Sequence, residues 1–306
     1  MVSFGGINSG GHGSIVQYAN NHFDGCSNEN LNVGGGCFGV YHDANYTANN
    51  GFLYVAYSNT VARGHTTVYG GGGGMTYTFD WNCTATGTSE SHNVVSIVNN
   101  YFTSCTGSEN GGAVQVWFAR EYAGAFLDLH YRYNTHNNCT SGPDGGGGTS
   151  VFFSKSGSAR NATLSFIGNH YLFCRVVSAV AGSPYNASLG GGGISLVFLA
   201  ENVDVEHAGN ELQGEGAVIS MQRNTFHLCR AQKGSGGGVS IFYRIGRIGT
   251  HMHAFFDNSY FGCVAGATED EVFERSAPIQ ENLCSVLSTS VANEAEELTS
   301  LGGGAL

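Results

Sequence analysis

Residues 218–243 read VISMQRNTFHLCRAQKGSGGGVSIFY. Two features of this stretch recur along the chain. One is Asn224-Thr225-Phe226 followed by Cys229, an Asn-x-aromatic-x-x-Cys element. The other is the glycine run beginning at Gly236, which leads into the alternating apolar pair Ile241 and Tyr243. The element returns as Asn21, Phe23, Cys26; as Asn100, Phe102, Cys105; as Asn169, Tyr171, Cys174; and as Asn258, Tyr260, Cys263. In Asn134, His136, Cys139 a histidine takes the aromatic place, and Asn59, Val61, Gly64 is a degraded copy. Successive asparagines stand 38, 41, 34, 35, 55 and 34 residues apart. A period of this size marks a repeat architecture and is read before any local structure.

Aligned copies give columns. Five residues before the asparagine stand Val16, Tyr54, Val95, Leu129, Leu164, Ile219 and His253. Three before it stand Tyr18, Ala56, Ile97, Tyr131, Phe166, Met221 and Phe255. After the glycine run, the fifth position is Tyr41, Phe79, Phe118, Phe153, Phe198 and Tyr243, and the second is Phe38, Thr76, Gln115, Ser150, Ser195 and Ser240. Apolar positions two apart indicate strands with one buried face. Glycine runs oppose helices by roughly 1 kcal/mol per residue. Three short strands per repeat with no intervening helix describe one coil of a right-handed parallel β-helix. About seven coils, stacked about 4.8 Å apart, would form an all-β solenoid with lateral loops at residues 42–50, 80–92, 176–189 and 199–214.

Identical residues then stack coil upon coil. Asn21, Asn100, Asn134, Asn169, Asn224 and Asn258 would form an amide ladder at a bend whose left-handed backbone asparagine tolerates. Cys26, Cys105, Cys139, Cys174, Cys229 and Cys263 read as a column of buried free thiols, with adjacent-coil disulfides as the alternative. Parallel Cβ vectors hold such pairs wider than the roughly 3.8 Å that a disulfide prefers.

Composition narrows the function classes. Charged residues are 11% of the chain against 48 glycines and 3 prolines, while the hydrophobic share is 41%. This is no disordered segment, and the clustered glycines exclude collagen. The net charge of −11 has no basic stripe beside it, which argues against a nucleic-acid partner. No apolar run reaches the roughly 18 residues of a membrane span, and the N-terminus lacks the pattern of a signal peptide. Acidic residues concentrate after Gly266, so the chain divides into a repeat domain, 1–266, and an acidic segment, 267–306, whose residues 279–299 have helical spacing suited to a cap, with a disordered acidic tail as the alternative. Sequons at Asn45, Asn82, Asn138, Asn161 and Asn186 are compatible with an extracellular or cell-surface location, and the chain reads as a piece of a longer surface protein.

The glycine element Gly111-Gly112-Ala113-Val114 and the spacing of Phe226, Cys229 and Ala231 resemble the repeats of polymorphic outer-membrane-protein adhesins, with Cys229 where that family has asparagine. The resemblance covers roughly residues 13–265. It implies a surface-displayed adhesive or structural module. Glycans or other surface proteins are the expected partners, and the ends of a β-helix, with their unpaired strand groups, allow self-association.

The rival expectation is a glycan-active enzyme of pectinase or polysaccharide-lyase type. Asp128, His130 and Arg132 alternate along one predicted strand and so share a face, the best catalytic grouping in the chain. Only one carboxyl is present, whereas inverting hydrolysis uses two about 6.5–9.5 Å apart. Gly11-His12-Gly13 looks like a polygalacturonase element without that family's paired aspartates. His251-x-His253 could present two ligands on one face, but His253 falls in a core column. No cofactor and no metal is expected, because the cysteines lack zinc-site spacing.

Overall fold

The computed structural model describes residues 2–4, 13–29, 35–42, 51–67, 71–79, 85–108, 110–119, 123–142, 145–154, 158–177, 190–199, 214–232, 236–244 and 252–265. They form a parallel β-solenoid of four sheets. The first sheet contains Val2–Phe4, Phe38–His42, Met75–Phe79, Val114–Phe118, Thr149–Phe153, Ile194–Leu199 and Val239–Arg244. The second contains Ile15–Ala19, Leu53–Tyr57, Asn93–Val98, Leu127–Arg132, Thr163–Ile167, Val218–Gln222 and Met252–Phe256. The third contains His22–Asp24, Thr60–Ala62, Tyr101–Thr103, Thr135–Asn137, His170–Leu172, Thr225–His227 and Ser259–Phe261. The fourth holds two-residue strands: Ser27–Asn28, His65–Thr66, Thr106–Gly107, Thr140–Ser141, Arg175–Val176, Arg230–Ala231 and Val264–Ala265.

A coil therefore has four strands where three were expected. The fourth is too short for alternation to reveal it. Each sheet holds seven strands, so about five coils have a neighbour on both sides and the outermost two form the ends. All strand pairs are parallel and in register: Tyr54, Val95, Leu129, Leu164 and Ile219 pair in succession, as do Ala56, Ile97, Tyr131, Phe166 and Met221.

The aromatic columns form the core. Phe79, Phe118, Phe153 and Phe198 are fully buried and stack with ring centroids 4.7, 4.9 and 5.1 Å apart. Such offset pairs add roughly 0.5–1.5 kcal/mol each beyond their burial. Tyr243 extends the stack at one end, 4.7 Å from Phe198. At the other end it is His42, 5.2 Å from Phe79, and not Tyr41, that continues it. The first copy runs one residue out of the expected register: Gly39 and not Phe38 pairs with Thr76, and His42 pairs with Phe79. Cys37, whose N–H donates to the Gly74 carbonyl, takes the last glycine's place there, as Ala113 does in the third copy. A second stack runs Phe102, His136, Tyr171, Phe226, Tyr260 at 5.0, 4.7, 5.0 and 4.9 Å.

The first sheet corrects the one-sided expectation. Its outward column of Thr76, Gln115, Ser150, Ser195 and Ser240 is buried as deeply as its inward one. Val197 and Phe242 form a second, smaller apolar cluster with Phe152.

The glycine runs permit close approach. A Cβ on Gly147 would lie 2.2 Å from the Gly192 carbonyl oxygen and 2.4 Å from the Arg175 nitrogen, so no side chain fits.

The joins between sheets fall into two kinds. Second to third sheet is always two residues, among them Ser58-Asn59, Tyr133-Asn134 and Arg223-Asn224. Third to fourth is likewise always two, among them Ser104-Cys105 and Phe173-Cys174. The left-handed residue at each corner is the first of the two: Asn20, Ser58, Asn99, Tyr133, Arg223 and Asp257 at one, Arg63, Ser104, Asn138, Phe173 and Leu228 at the other, with φ from 51° to 57°. The ladder asparagine itself is not left-handed, contrary to the expectation above. Its side chain turns inward, where the amide is worth more as a hydrogen-bonding group.

The other two joins vary in length. Short ones link Gly107 to Val114 and Arg244 to Met252; long ones link Val176 to Ile194 and Leu199 to Val218. Three expected loops begin or end in ordered structure. His42, Val176 and Leu199 are strand residues, and within 80–92 the described residues include buried Ala85 and buried Gly87; the Gly87 N–H donates to the Ala125 carbonyl. The boundary at 266 and the helical expectation for 279–299 lie outside the described residues.

Candidate functional site

The asparagine ladder is a continuous polar spine inside the solenoid. The backbone N–H and one Nδ2 hydrogen of Asn100 donate to Asn134 Oδ1 at 2.9 and 3.0 Å, and Nδ2 also donates to the Ala56 carbonyl of the preceding coil. The pattern repeats from Asn21 through Asn59, Asn100, Asn134, Asn169 and Asn224 to Asn258. From Asn59 to Asn224 these amides are buried, and both donors and the acceptor are used, as buried polar groups require.

At the next corner the thiols are free. Cys105, Cys139, Cys174, Cys229 and Cys263 are buried, while Cys26 is partly exposed. Each buried Sγ points at a carbonyl of the preceding coil, as Cys229 does toward Tyr171 at 3.4 Å and Cys263 toward Phe226 at 3.5 Å. Burial pushes the Cys139 and Cys229 thiols well above the ordinary range. They are small apolar groups here, not nucleophiles.

Asp128, His130 and Arg132 lie on the outward face of the second sheet, each half-buried beside inward Leu129 and Tyr131. Arg132 Nη2 donates to His130 Nδ1 at 3.3 Å. Burial, then the Arg132 charge, lowers the His130 pKa, with Asp128 acting in the opposite direction. Sequence reasoning missed the fourth member. His92 Nδ1 meets Asp128 Oδ2 at 3.0 Å. It sits one coil earlier, just before Asn93–Val98, so the two are 36 residues apart. A carboxylate holding one imidazole and a guanidinium holding another form a polar strip on the sheet face. Their cross-strand neighbours are Val94, Ser96 and Val98 on one side and Thr163, Ser165 and Ile167 on the other. No second carboxylate stands beside Asp128 among these. The strip can orient an imidazole as a base or hydrogen-bond a polar ligand.

Inside the core, His136 Nε2 is 2.7 Å from the Tyr131 hydroxyl, which also accepts from Thr149 Oγ1 at 2.8 Å. Burial lowers the His136 pKa to about 3 and that of His42 to about 3, so both imidazoles are neutral. His253 Nε2 lies 3.0 Å from the Tyr243 hydroxyl; His251 lies outside the described residues. Of the sequon asparagines, Asn138 and Asn161 are exposed, and Asn45, Asn82 and Asn186 lie outside the described residues. Among the described residues no helix is long and apolar enough to cross a membrane.

Comparison with known proteins gives no match: neither a family model, nor a curated protein, nor a solved structure matches the chain.

Proposed function

We propose that this chain is a non-catalytic structural or adhesive module, working outside the cell or at its surface, in which the solenoid holds recognition segments for glycans or other surface proteins. The observation that carries this reading is the unequal treatment of the corners. Two joins per coil are held at two residues and filled by ladder groups. Two tolerate large changes of length, as at Val176 to Ile194 and Leu199 to Val218. A rigid repeat body with variable edges is the arrangement in which loops carry recognition. The resemblance to polymorphic outer-membrane-protein repeats points the same way.

The test is binding of purified protein to a glycan array and to cell surfaces. Replacing residues 178–189 and 200–213 by short Gly-Ser joins should abolish binding and preserve the β circular-dichroism signal. A second reading, a polysaccharide-active enzyme, draws on the His92–Asp128 contact beside His130 and Arg132. Turnover of a polyuronate that disappears in Asp128→Asn would overturn the first reading in favour of the second.

A further inference from the structure

The last residue of each glycine run faces the aromatic column of the next coil, and its size answers to what stands there. A Cβ on Gly148, Gly193 or Gly238 would lie 2.6, 2.7 or 2.8 Å from the ring of Tyr171, Phe226 or Tyr260. Gly74 stands in the same relation to Phe102, at 3.1 Å. By the same register Ala113 faces the smaller ring of His136, and Cys37 faces Val61, where the column has no ring. A side chain fits at residue 37 because an aromatic is missing at residue 61. Val61 and Cys37 are therefore reciprocal departures from the repeat.

The side chain that takes this room is a thiol beside another thiol. Cys37 directly precedes Phe38–His42 and takes the direction of the glycines in its column, across the interior. Cys26 occupies the corner between His22–Asp24 and Ser27–Asn28 of the same coil. Gly64 brings no thiol of its own between Cys26 and Cys105. Burial, then a hydrogen bond with the Cys26 thiol, raises the Cys37 pKa far above the ordinary range, and the Cys105 thiol adds to the rise. Among the described residues Cys26 and Cys37 are the partly exposed cysteines; the other five are buried. Column cysteines of adjacent coils have parallel Cβ vectors, which hold them wider than the roughly 3.8 Å that a disulfide prefers. Cys26 and Cys37 belong to different sides of one coil, so their Cβ vectors converge.

From this we infer that Cys26 and Cys37 are a disulfide site, the pair that closes when the protein meets a small-molecule disulfide. One thiolate attacks the small disulfide, forming a mixed disulfide and releasing one small thiol. The other thiolate attacks the protein-bound sulfur, which forms the Cys26–Cys37 bond and releases the second small thiol. The protein gives up two electrons and two protons, and the small disulfide takes them. The bond ties the corner before Ser27–Asn28 to the start of Phe38–His42, across one of the joins whose length varies. The inference does not rest on the recognition reading above.

The experiment takes the full chain, purified under reducing conditions, and incubates it with oxidised glutathione before denaturation and alkylation. The sequence has nine cysteines. Wild type should lose two alkylatable thiols with its circular-dichroism spectrum unchanged, and dithiothreitol should restore both. Cleavage after Glu29 separates Cys26 from Cys37, so the two pieces should stay joined until reduction. Cys26→Ser and Cys37→Ser should each form no internal bond. Val61→Phe, which sets a ring against residue 37, should lower the melting temperature, and Cys37→Gly in the same chain should restore it. All thiols still open after incubation overturns the inference, as does glutathione left on both residues with no bond between them. A link from Cys26 or Cys37 to any other cysteine or to a second chain overturns it too. So does a Val61→Phe chain that Cys37→Gly fails to rescue.

Discussion

Replacing His136 by phenylalanine should make the protein resistant to acid while leaving its stability near neutrality almost unchanged. His136 is fully buried in the aromatic column, 5.0 Å from Phe102 and 4.7 Å from Tyr171 in nearly parallel planes. Desolvation lowers its pKa from 6.5 to about 3. In the unfolded chain the imidazole takes up a proton as the pH falls below 6.5; in the folded chain it does not until about 3. The stability associated with the neutral ring is therefore complete above 6.5 and lost progressively as the pH falls. The slope is about 1.4 kcal/mol per pH unit. At pH 4 His136 alone should remove about 3 kcal/mol. Phenylalanine fits the column, as Phe102 and Phe226 occupy it elsewhere, and it has no proton to take up. The lost hydrogen bond to Tyr131 is worth about 1 kcal/mol, and the phenol keeps Thr149 at 2.8 Å. Urea denaturation followed by circular dichroism at pH 7 and pH 4 gives the answer. His136→Phe should match wild type within about 1 kcal/mol at pH 7 and exceed it by about 3 kcal/mol at pH 4. Parallel loss of stability in the two proteins between these pH values would refute the assignment. His42, lowered to about 3 for the same reason, should account for acid sensitivity that persists in the variant.

Asn134→Ala strands the Asn100 N–H and one Nδ2 hydrogen inside the core, while Asn169 Oδ1 keeps the backbone N–H of residue 134; urea denaturation should show a loss of about 3 kcal/mol, and a loss below about 1 kcal/mol would mean that water replaces the ladder. Gly147→Ala, aimed at backbone atoms 2.2 and 2.4 Å away, should destabilise far more than Gly148→Ala, whose new methyl meets the ring edge of Tyr171 at 2.6 Å; comparison of the two melting temperatures checks the order. Arg223 is an exposed corner residue with φ of 52°, so Arg223→Gly should stabilise by about 1 kcal/mol and Arg223→Val should destabilise by a similar amount; equal effects of the two would show that the corner is not strained.

The period-two columns made the second and first sheets legible, because one buried face imposes the same apolar choice in every coil. The corners were harder. The ladder position is always asparagine because its side chain bonds in three directions, whereas the residue before it is Asn20, Ser58, Tyr133, Gly168 or Arg223. Only its backbone is specified there, and several residue types bear the left-handed conformation at modest cost. The one-residue slip in the first copy arose because Cys37 fills the place that glycine holds elsewhere; Ala113 was recognisable only because Val114 and Gln115 kept their columns. The strip of Asp128, His130 and Arg132 could be read from alternation along one strand. His92 could not, because its partner lies on the next coil and the preceding join, Phe79 to Asn93, has no fixed length.

The spacing of the ladder has a mechanical consequence. Each asparagine is bonded to one 34 to 55 residues away, and the bonds between coils run along the solenoid axis. A terminal coil pulled from its end is held by one neighbour alone, so force should detach coils singly, like turns drawn off a spool. At about 3.4 Å of extended chain per residue, a 34-residue coil lengthens the molecule by roughly 12 nm, and the coil between Asn169 and Asn224 by roughly 19 nm. The length of each step would report which coil had just come loose, so that a single stretched molecule would spell out the order of its own repeats.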